Sequence, residues 1–314
     1  MLRRSPGGRT RVDAGPGSVD SPSVPPTIVT TVPARYFPFT HDAGRFTMTA
    51  GLSPLTSDRF GNGDADGRLL QFDRRHREYV AAKNRAAGHG SSDSGEIDAG
   101  CSRATRRAAH GLLADSLRQQ GAADALTPGT RTLADLVMLV QEDLAIVERG
   151  DTDAESRLSY MHVSLPSRWS PLTKAGRSFA QVHRPVPMQL DGERYIADVI
   201  QRGARRQRFV WGLQFDSELD QHPRRHPPAR FDPRRGIWLR VERQVLVGLP
   251  AVGAMLFLIR PYVTPMRLVV LDATRRRLLL SALRSMTDAQ RRYKGLQRDF
   301  GTIVDHLQRL SPGR

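Results

Sequence analysis

Cysteine is nearly missing from this chain. Cys101 is the only one in 314 residues, so an internal disulfide, a four-cysteine zinc site and an iron–sulfur cluster are all excluded. Its setting, SSDSGEIDAGCSRA, reads as an exposed polar loop. Long apolar runs are missing too: none reaches the roughly 18 residues that a membrane-spanning helix needs. The nearest, Val245 to Ile259, is interrupted by Gly248, Pro250 and Gly253 and flanked by Arg243 and Arg260, and reads as two short buried elements joined by a turn. The first residues, MLRRSPGGRTRVDAGPG, carry positive charge with no apolar stretch behind it, which is not the pattern of a secretory signal. A cytoplasmic protein without a membrane segment is expected. Aromatic residues make up only 6% of the chain. There is no Gly-x-Gly-x-x-Gly, Walker loop, Gly-x-Ser-x-Gly elbow or His-Glu-x-x-His, so NADPH and flavin have no visible seat here.

What is abundant is arginine. The formal charge is +16, with 25% charged and 39% apolar residues. A basic balance can signal nucleic acid. Here the arginines are scattered from end to end, lysine is scarce and no basic tail exists, so nucleic-acid binding is not expected. Electrostatic docking onto an acidic redox partner fits the same charge at least as well.

Residues 1–34 are rich in Pro, Gly, Ser and Thr and read as a disordered leader. Order is expected from Tyr36, in a domain over 35–286 with flexible loops near 88–100 and 220–235, followed by a C-terminal helix within 287–314. The four prolines in the second loop exclude a helix or inner strand. Helices are predicted over 68–87, 103–118, 132–149, 189–202, 271–285 and 288–309. The 132–149 helix has Thr132 as N-cap and apolar residues at helical spacing. Residues 170–183 read as two short helical pieces broken at Gly176. Strands are predicted over 157–165, 207–215, 237–244 and 253–262. Successive strands with short links favour an antiparallel sheet, and the class is α+β.

Several strings occur in an order that resembles one family. They are YFPF (36–39), GLSPL (51–55), LLQFDRRHREYVAAKNR (69–85) and LADLVMLVQEDLAIVER (133–149), then LPSRWSPLTKAGRSFAQVHRPVP (165–187), WLRVERQVLVGLP (238–250) and AMLFLIRPYVTP (254–265). The chain thereby resembles the haem-dependent oxidative N-demethylase alpha-subunit-like family over roughly 36–285. The resemblance implies a PAS-like antiparallel sheet packed with helices, with helical N- and C-terminal extensions, enclosing haem b. It implies a monooxygenase subunit that oxidises a small alkylamine to a carbinolamine, which collapses to formaldehyde and the demethylated amine. Electrons would come from NADPH through flavin and an iron–sulfur centre on partner reductase subunits. With one cysteine, that electron chain could not be housed here. Departures exist: Gln214-Phe215 stands where relatives carry Asn-Trp, and Met161, His162 and Val163 precede the Pro-Ser-x-Trp string. These bear on substrate more than on fold.

Within the matched strings, His183 is the candidate iron ligand, stiffened by Pro185 and Pro187; the alternative is a helix-terminal histidine capping carbonyls. Arg168, Arg177, Arg240, Arg243 and Arg260 are candidates for the two haem propionates by bidentate pairing, or for internal pairing with Glu242 or Asp143. Glu242 is a candidate proton donor or amine anchor, or an ion-pair partner of Arg240 or Arg243. Tyr262, with Trp169, Trp211 and Trp238, could line an aromatic pocket for an alkylammonium or be ordinary core. In 237–242 the alternation puts Ile237, Leu239 and Val241 on one face and Trp238, Arg240 and Glu242 on the other. His162 reads as a half-buried structural histidine. His222 and His226 form no convincing metal pair, and His41, His76, His89, His110 and His306 read as surface residues. A haem sensor or carrier without turnover, or an interaction protein with the same fold, remain the other readings.

Overall fold

The computed structural model describes residues 35–47, 51–56, 60–88, 95–150, 156–182 and 192–310. The expected leader lies outside them, as do His183, His89 and part of the 88–100 loop. The elements run α1 (Pro38–His41), β1 (Ser53–Pro54), α2 (His76–Gly88), β2 (Gly95–Asp98), α3 (Arg103–Gln119), α4 (Leu133–Leu139), β3 (Asp143–Arg149) and β4 (Ser156–Val163). They continue with α5 (Phe179–Val182), α6 (Gly192–Arg202), β5 (Arg205–Gln214), β6 (Trp238–Leu249) and β7 (Ala254–Pro265). The last are α7 (Met266–Val269), α8 (Ala273–Arg284), α9 (Asp288–Tyr293) and α10 (Phe300–Arg309).

One sheet of seven strands organises the molecule, in the order β1-β5-β6-β7-β3-β4-β2, antiparallel throughout. The α+β expectation holds. At its centre β6 and β7 form a long hairpin. Pro250 opens the tight turn between them and Gly253, at φ +59°, closes it, a left-handed geometry that glycine tolerates without strain. The run 245–259 is therefore two buried strands and a turn, as its glycines and proline suggested.

Strand parity separates two layers. On one face, Leu239 and Val241 of β6 pack with Tyr262, α7, α8 and α10 in one apolar cluster, while Val245 and Val247 pack with Leu256 and Leu258 of β7 and with α3 and α4 in another. Arg243 and Arg260 sit between the two clusters. On the opposite face, α6 lays Ile196, Val199 and Ile200 against Leu246 and Met255. Gly248 permits that approach: a Cβ there would stand 2.0 Å from the carbonyl oxygen of Val199.

The 132–149 helix is the clearest correction. Its start is as expected, because Thr132 and Asp135 form a reciprocal capping box. The helix ends at Leu139, and Asp143–Arg149 is a central strand hydrogen-bonded to β7 and β4. Between them Gln141, Glu142 and Asp143 are buried and accept backbone N–H groups: Asp73 N to Gln141 Oε1 (3.0 Å), Gln71 N to Glu142 Oε1 (2.8 Å) and Leu165 N to Asp143 Oδ2 (2.7 Å). These bonds also explain why residues 68–75 are not helical and α2 begins at His76. The expected 271–285 helix is α8, whereas the expected 288–309 helix is split into α9 and α10 around Gly295 (φ +68°). Gly95–Asp98, expected as loop, pairs with β4 at the sheet edge. Cys101 and His76 are buried rather than exposed, at 6% and 5%. Burial pushes the Cys101 thiol up to about 11, and His76 Nε2 lies 2.7 Å from the carbonyl oxygen of Leu139.

Candidate functional site

Between the sheet and α6 lies a cavity of about 680 Å³, inside the range of about 300–1,000 Å³ usual for small-molecule and cofactor sites. Its floor follows the strand register. Ala145 of β3 faces Phe257 of β7 and Met161 of β4, and Phe257 faces Leu246 of β6. With Ile196 and Tyr195 of α6 these residues make one end apolar. Further along the same face, Gln244 stands beside Arg208, Glu242 beside Val210, and Arg240 beside Gly212. The other end of the cavity is therefore charged.

The charged end is tied together. Arg208 Nε donates to Gln244 Oε1 (2.6 Å), and Gln244 Nε2 donates to Glu242 Oε2 (3.0 Å). Arg240 Nε lies 3.5 Å from Glu242 Oε1, while its two terminal nitrogens donate to the carbonyls of Leu219 (2.8 Å) and Leu165 (2.7 Å). Lys294, from the turn after α9, crosses above Gly212, where an added Cβ would meet its side chain at 3.9 Å. Its ammonium stands 5.6 Å from the Phe46 ring and 5.7 Å from the Tyr293 ring. Burial lowers the Lys294 ammonium to about 8; Glu242 opposes that shift and Arg208 adds to it.

A third group comes from the segment that follows β4. Arg168 is a non-glycine residue at φ +60°, a conformation that costs strain of order 1–3 kcal/mol and is held here by bonds to its surroundings. Its backbone N donates to Gln221 O (3.0 Å), and its guanidinium reaches Leu213 O (3.4 Å) and Lys294 O (3.5 Å). Lys174 donates to the carbonyl of Val182 (2.9 Å) and lies 5.4 Å from the Trp169 ring. Burial lowers both Arg168 and Lys174. The lining cations Arg168, Lys174, Arg208, Arg240 and Lys294 outnumber the lining carboxylates Asp42 and Glu242. The chamber favours an anionic occupant with a large apolar body.

Of the residues singled out in the sequence, Arg168, Arg240, Glu242, Trp169 and Trp211 line this cavity. His183 lies outside the described residues; Val182, the last described residue before it, lines the cavity. Arg177 is exposed and is not part of the lining. Arg243, Arg260 and Tyr262 lie on the other face of the sheet. There Arg243 donates to the carbonyls of Arg68 (2.6 Å) and Asp66 (3.0 Å), and Arg260 pairs with Asp73 (2.8 Å) and approaches Glu142 (3.6 Å). The Tyr262 hydroxyl donates to Gln71, which in turn donates to Tyr36. Burial raises the Tyr262 phenol far above its ordinary value. These three residues fasten segment 66–73 to the sheet. Trp238 packs with Leu165, Leu219 and Val263 in a small core cluster.

Sequence reasoning passed over Arg208, Gln244, Lys174 and Lys294. Gln244 continues the Arg240-Glu242 alternation and could have been found by it. The lysines carried another signal. Lys83, Lys174 and Lys294 are the only lysines in a chain otherwise served by arginine, and none is an ordinary surface residue. Lys83 is fully buried, 3.3 Å from Asp143 and 2.9 Å from the carbonyl of Val137. The other two line the cavity. Among the described residues no three His, Cys, Asp or Glu side chains gather to hold a metal ion; a haem iron, held by its porphyrin and one axial side chain, needs no such cluster. No described helix is long and apolar enough to cross a membrane. The model of the family described as haem-dependent oxidative N-demethylase, alpha subunit-like, matches residues 69–304.

Proposed function

The chain belongs to that haem-dependent oxidative N-demethylase alpha-subunit-like family, and from this membership we propose that it binds haem b in the cavity under α6 and removes N-methyl groups from a small amine. The observation that carries the reading is the two-ended lining: an apolar floor suited to a porphyrin, and buried cations suited to its two propionates. In the overall reaction one N-methyl group, one dioxygen, two electrons and two protons give the demethylated amine, formaldehyde and water. Partner subunits carrying flavin and an iron–sulfur centre would deliver the electrons from NADPH.

In this proposal His183, one residue beyond the cavity-lining Val182, would supply the imidazole that holds the iron. Arg168 and Lys174 would hold the propionates, while Arg240 is committed to the carbonyls of Leu219 and Leu165 and to Glu242. Haem bound there supplies the activation of dioxygen. The rest belongs to the chain. Phe257, Met161 and Leu246 keep water from the reacting end, which strengthens every charge interaction inside it. Glu242, fixed by Gln244 and Arg240, anchors the amine and accepts or returns a proton at its carboxylate. The PAS-like description and the cytoplasmic location belong to the same proposal.

The test is reconstitution of the full chain with haem. A Soret band is expected, together with amine-dependent formaldehyde release once a ferredoxin-type reductase and NADPH are added. His183→Ala should lose the band or change its ligation. A colourless wild-type chain would overturn the proposal; an unchanged spectrum in the variant would remove His183 alone. A Soret band without turnover on any methylated amine would leave a haem sensor or carrier.

A further inference from the structure

Resting on that haem-demethylase reading, we propose that Arg208, Lys294 and Glu242 form a zwitterion subsite, and that the methylated substrate is an N-methyl amino acid rather than a simple alkylamine. The argument starts from charge. A plain alkylammonium has one use for this end of the cavity, the carboxylate of Glu242. It would meet two cations there with nothing to offer them, and like charges in a partly desolvated wall repel more strongly than in water.

The cations at this end are not equivalent. Arg240 is spent on the carbonyls of Leu219 and Leu165 as well as on Glu242. Arg208 has one side-chain partner, Gln244 Oε1. The Lys294 ammonium has no hydrogen-bond acceptor among the described residues; its contacts are the rings of Phe46 and Tyr293. Lys174 donates to the carbonyl of Val182, on the segment that leads to His183, and Arg168 reaches the carbonyls of Leu213 and Lys294; these two suit the propionates. After both propionates are matched, Arg208 and Lys294 still await an anion, beside the Glu242 carboxylate, whose paired cation, Arg240, stands 3.5 Å away and is shared with two carbonyls. A molecule carrying an ammonium and a carboxylate on neighbouring carbons satisfies both.

Choice of residue supports the assignment. Arginine does the chain's ordinary electrostatic work, yet this position carries a lysine, a compact ammonium with three rotatable donors and a charge that responds to its surroundings. Tyr293, 49% exposed and part of the lining, puts the subsite on the open side of the chamber, where a polar substrate can enter.

The experiment is titration calorimetry on the haem-loaded full chain with three probes: N-methylglycine, dimethylamine and acetate. N-methylglycine should bind at least about tenfold more tightly than either of the others. Arg208→Gln and Lys294→Gln should each weaken N-methylglycine about ten- to a hundredfold, the usual worth of a hydrogen bond to a charged group, and dimethylamine by a much smaller factor. Glu242→Gln should weaken both amines. If haem is taken up but dimethylamine binds as well as N-methylglycine, the zwitterion subsite is wrong and the haem reading survives. Acetate binding as tightly as N-methylglycine would reduce the site to an anion site and overturn the proposal. A chain that stays colourless overturns both readings. The wild-type comparison decides the matter even if a variant fails to fold.

Discussion

At the scale of the residue, the most informative groups are polar side chains that folding has taken out of water. His162 is 4% exposed, and burial together with Lys83 pulls its imidazole down to about 4. In the unfolded chain it titrates near about 6.5. The unfolded state therefore binds more protons between those values. The neutral-histidine contribution is complete above about pH 6.5 and is lost as pH falls toward 4, amounting to at most about 3 kcal/mol. His162→Gln should flatten that part of the stability profile, leaving the smaller slope from His76, which burial also lowers. Urea midpoints for both proteins at several pH values between 7 and 4.5 check this; parallel losses in the two would rule it out. The same scale shows what a sequence conceals. Glu242 and Arg243 are neighbours in one string, yet one lines the cavity and the other fastens segment 66–73 on the far side. Composition could nominate both, but only the face of the strand assigns them.

At the scale of the element, the closest approach in the fold is α6 over β6 at Gly248. Replacing it with alanine forces the two apart, because no side-chain rotation relieves a clash with the backbone of Val199. Gly248→Ala should destabilise the protein by at least about 1–3 kcal/mol and, on the proposed haem reading, weaken haem retention, since α6 roofs the cavity. Gly301→Ala, with open space around it in α10, should be neutral or slightly stabilising. Chemical denaturation of the two variants gives the comparison, and equal stability would count against the packing argument. Element types were legible where period and punctuation agreed: α3 and α6 follow from helical spacing, and β4, β5 and the β6–β7 hairpin from short apolar runs bounded by glycine, proline or polar residues. The 132–149 segment was not, because apolar residues at helical spacing are also compatible with a strand buried on both faces. What turns the chain there is Gln141-Glu142-Asp143, whose partners lie in segment 71–73 and at Leu165. A local pattern cannot reveal partners so distant in sequence.

At the scale of the whole molecule, the sheet is covered on one face by both ends of the described chain. Tyr36, Phe39 and Phe46 share a single cluster with Leu296, Ile303, Val304 and Leu307. The last four are each buried, at 0–8% exposure, and each contributes about 1.5–3 kcal/mol, together comparable with the total stability of a typical domain, about 5–15 kcal/mol. A chain ending at Met286 should therefore fail to fold cooperatively, although the sequence read residues 287–314 as an appended helix. Loss of near-ultraviolet circular dichroism and binding of an apolar dye would show it; a sharp, wild-type-like melt would contradict it. That residues of β3, β4, β5, β6 and β7 converge on one chamber was not readable, because register and parity are set by strand pairings, two of which, β1 with β5 and β3 with β7, join segments more than a hundred residues apart.

The crossing of Lys294 above Gly212 also fixes a sequence of events. While the polypeptide is being made, every strand of the sheet has emerged with β7, but the vessel between sheet and roof lacks a side until residue 294 follows. A pigment-sized guest can thus be fully enclosed only after synthesis has passed that point.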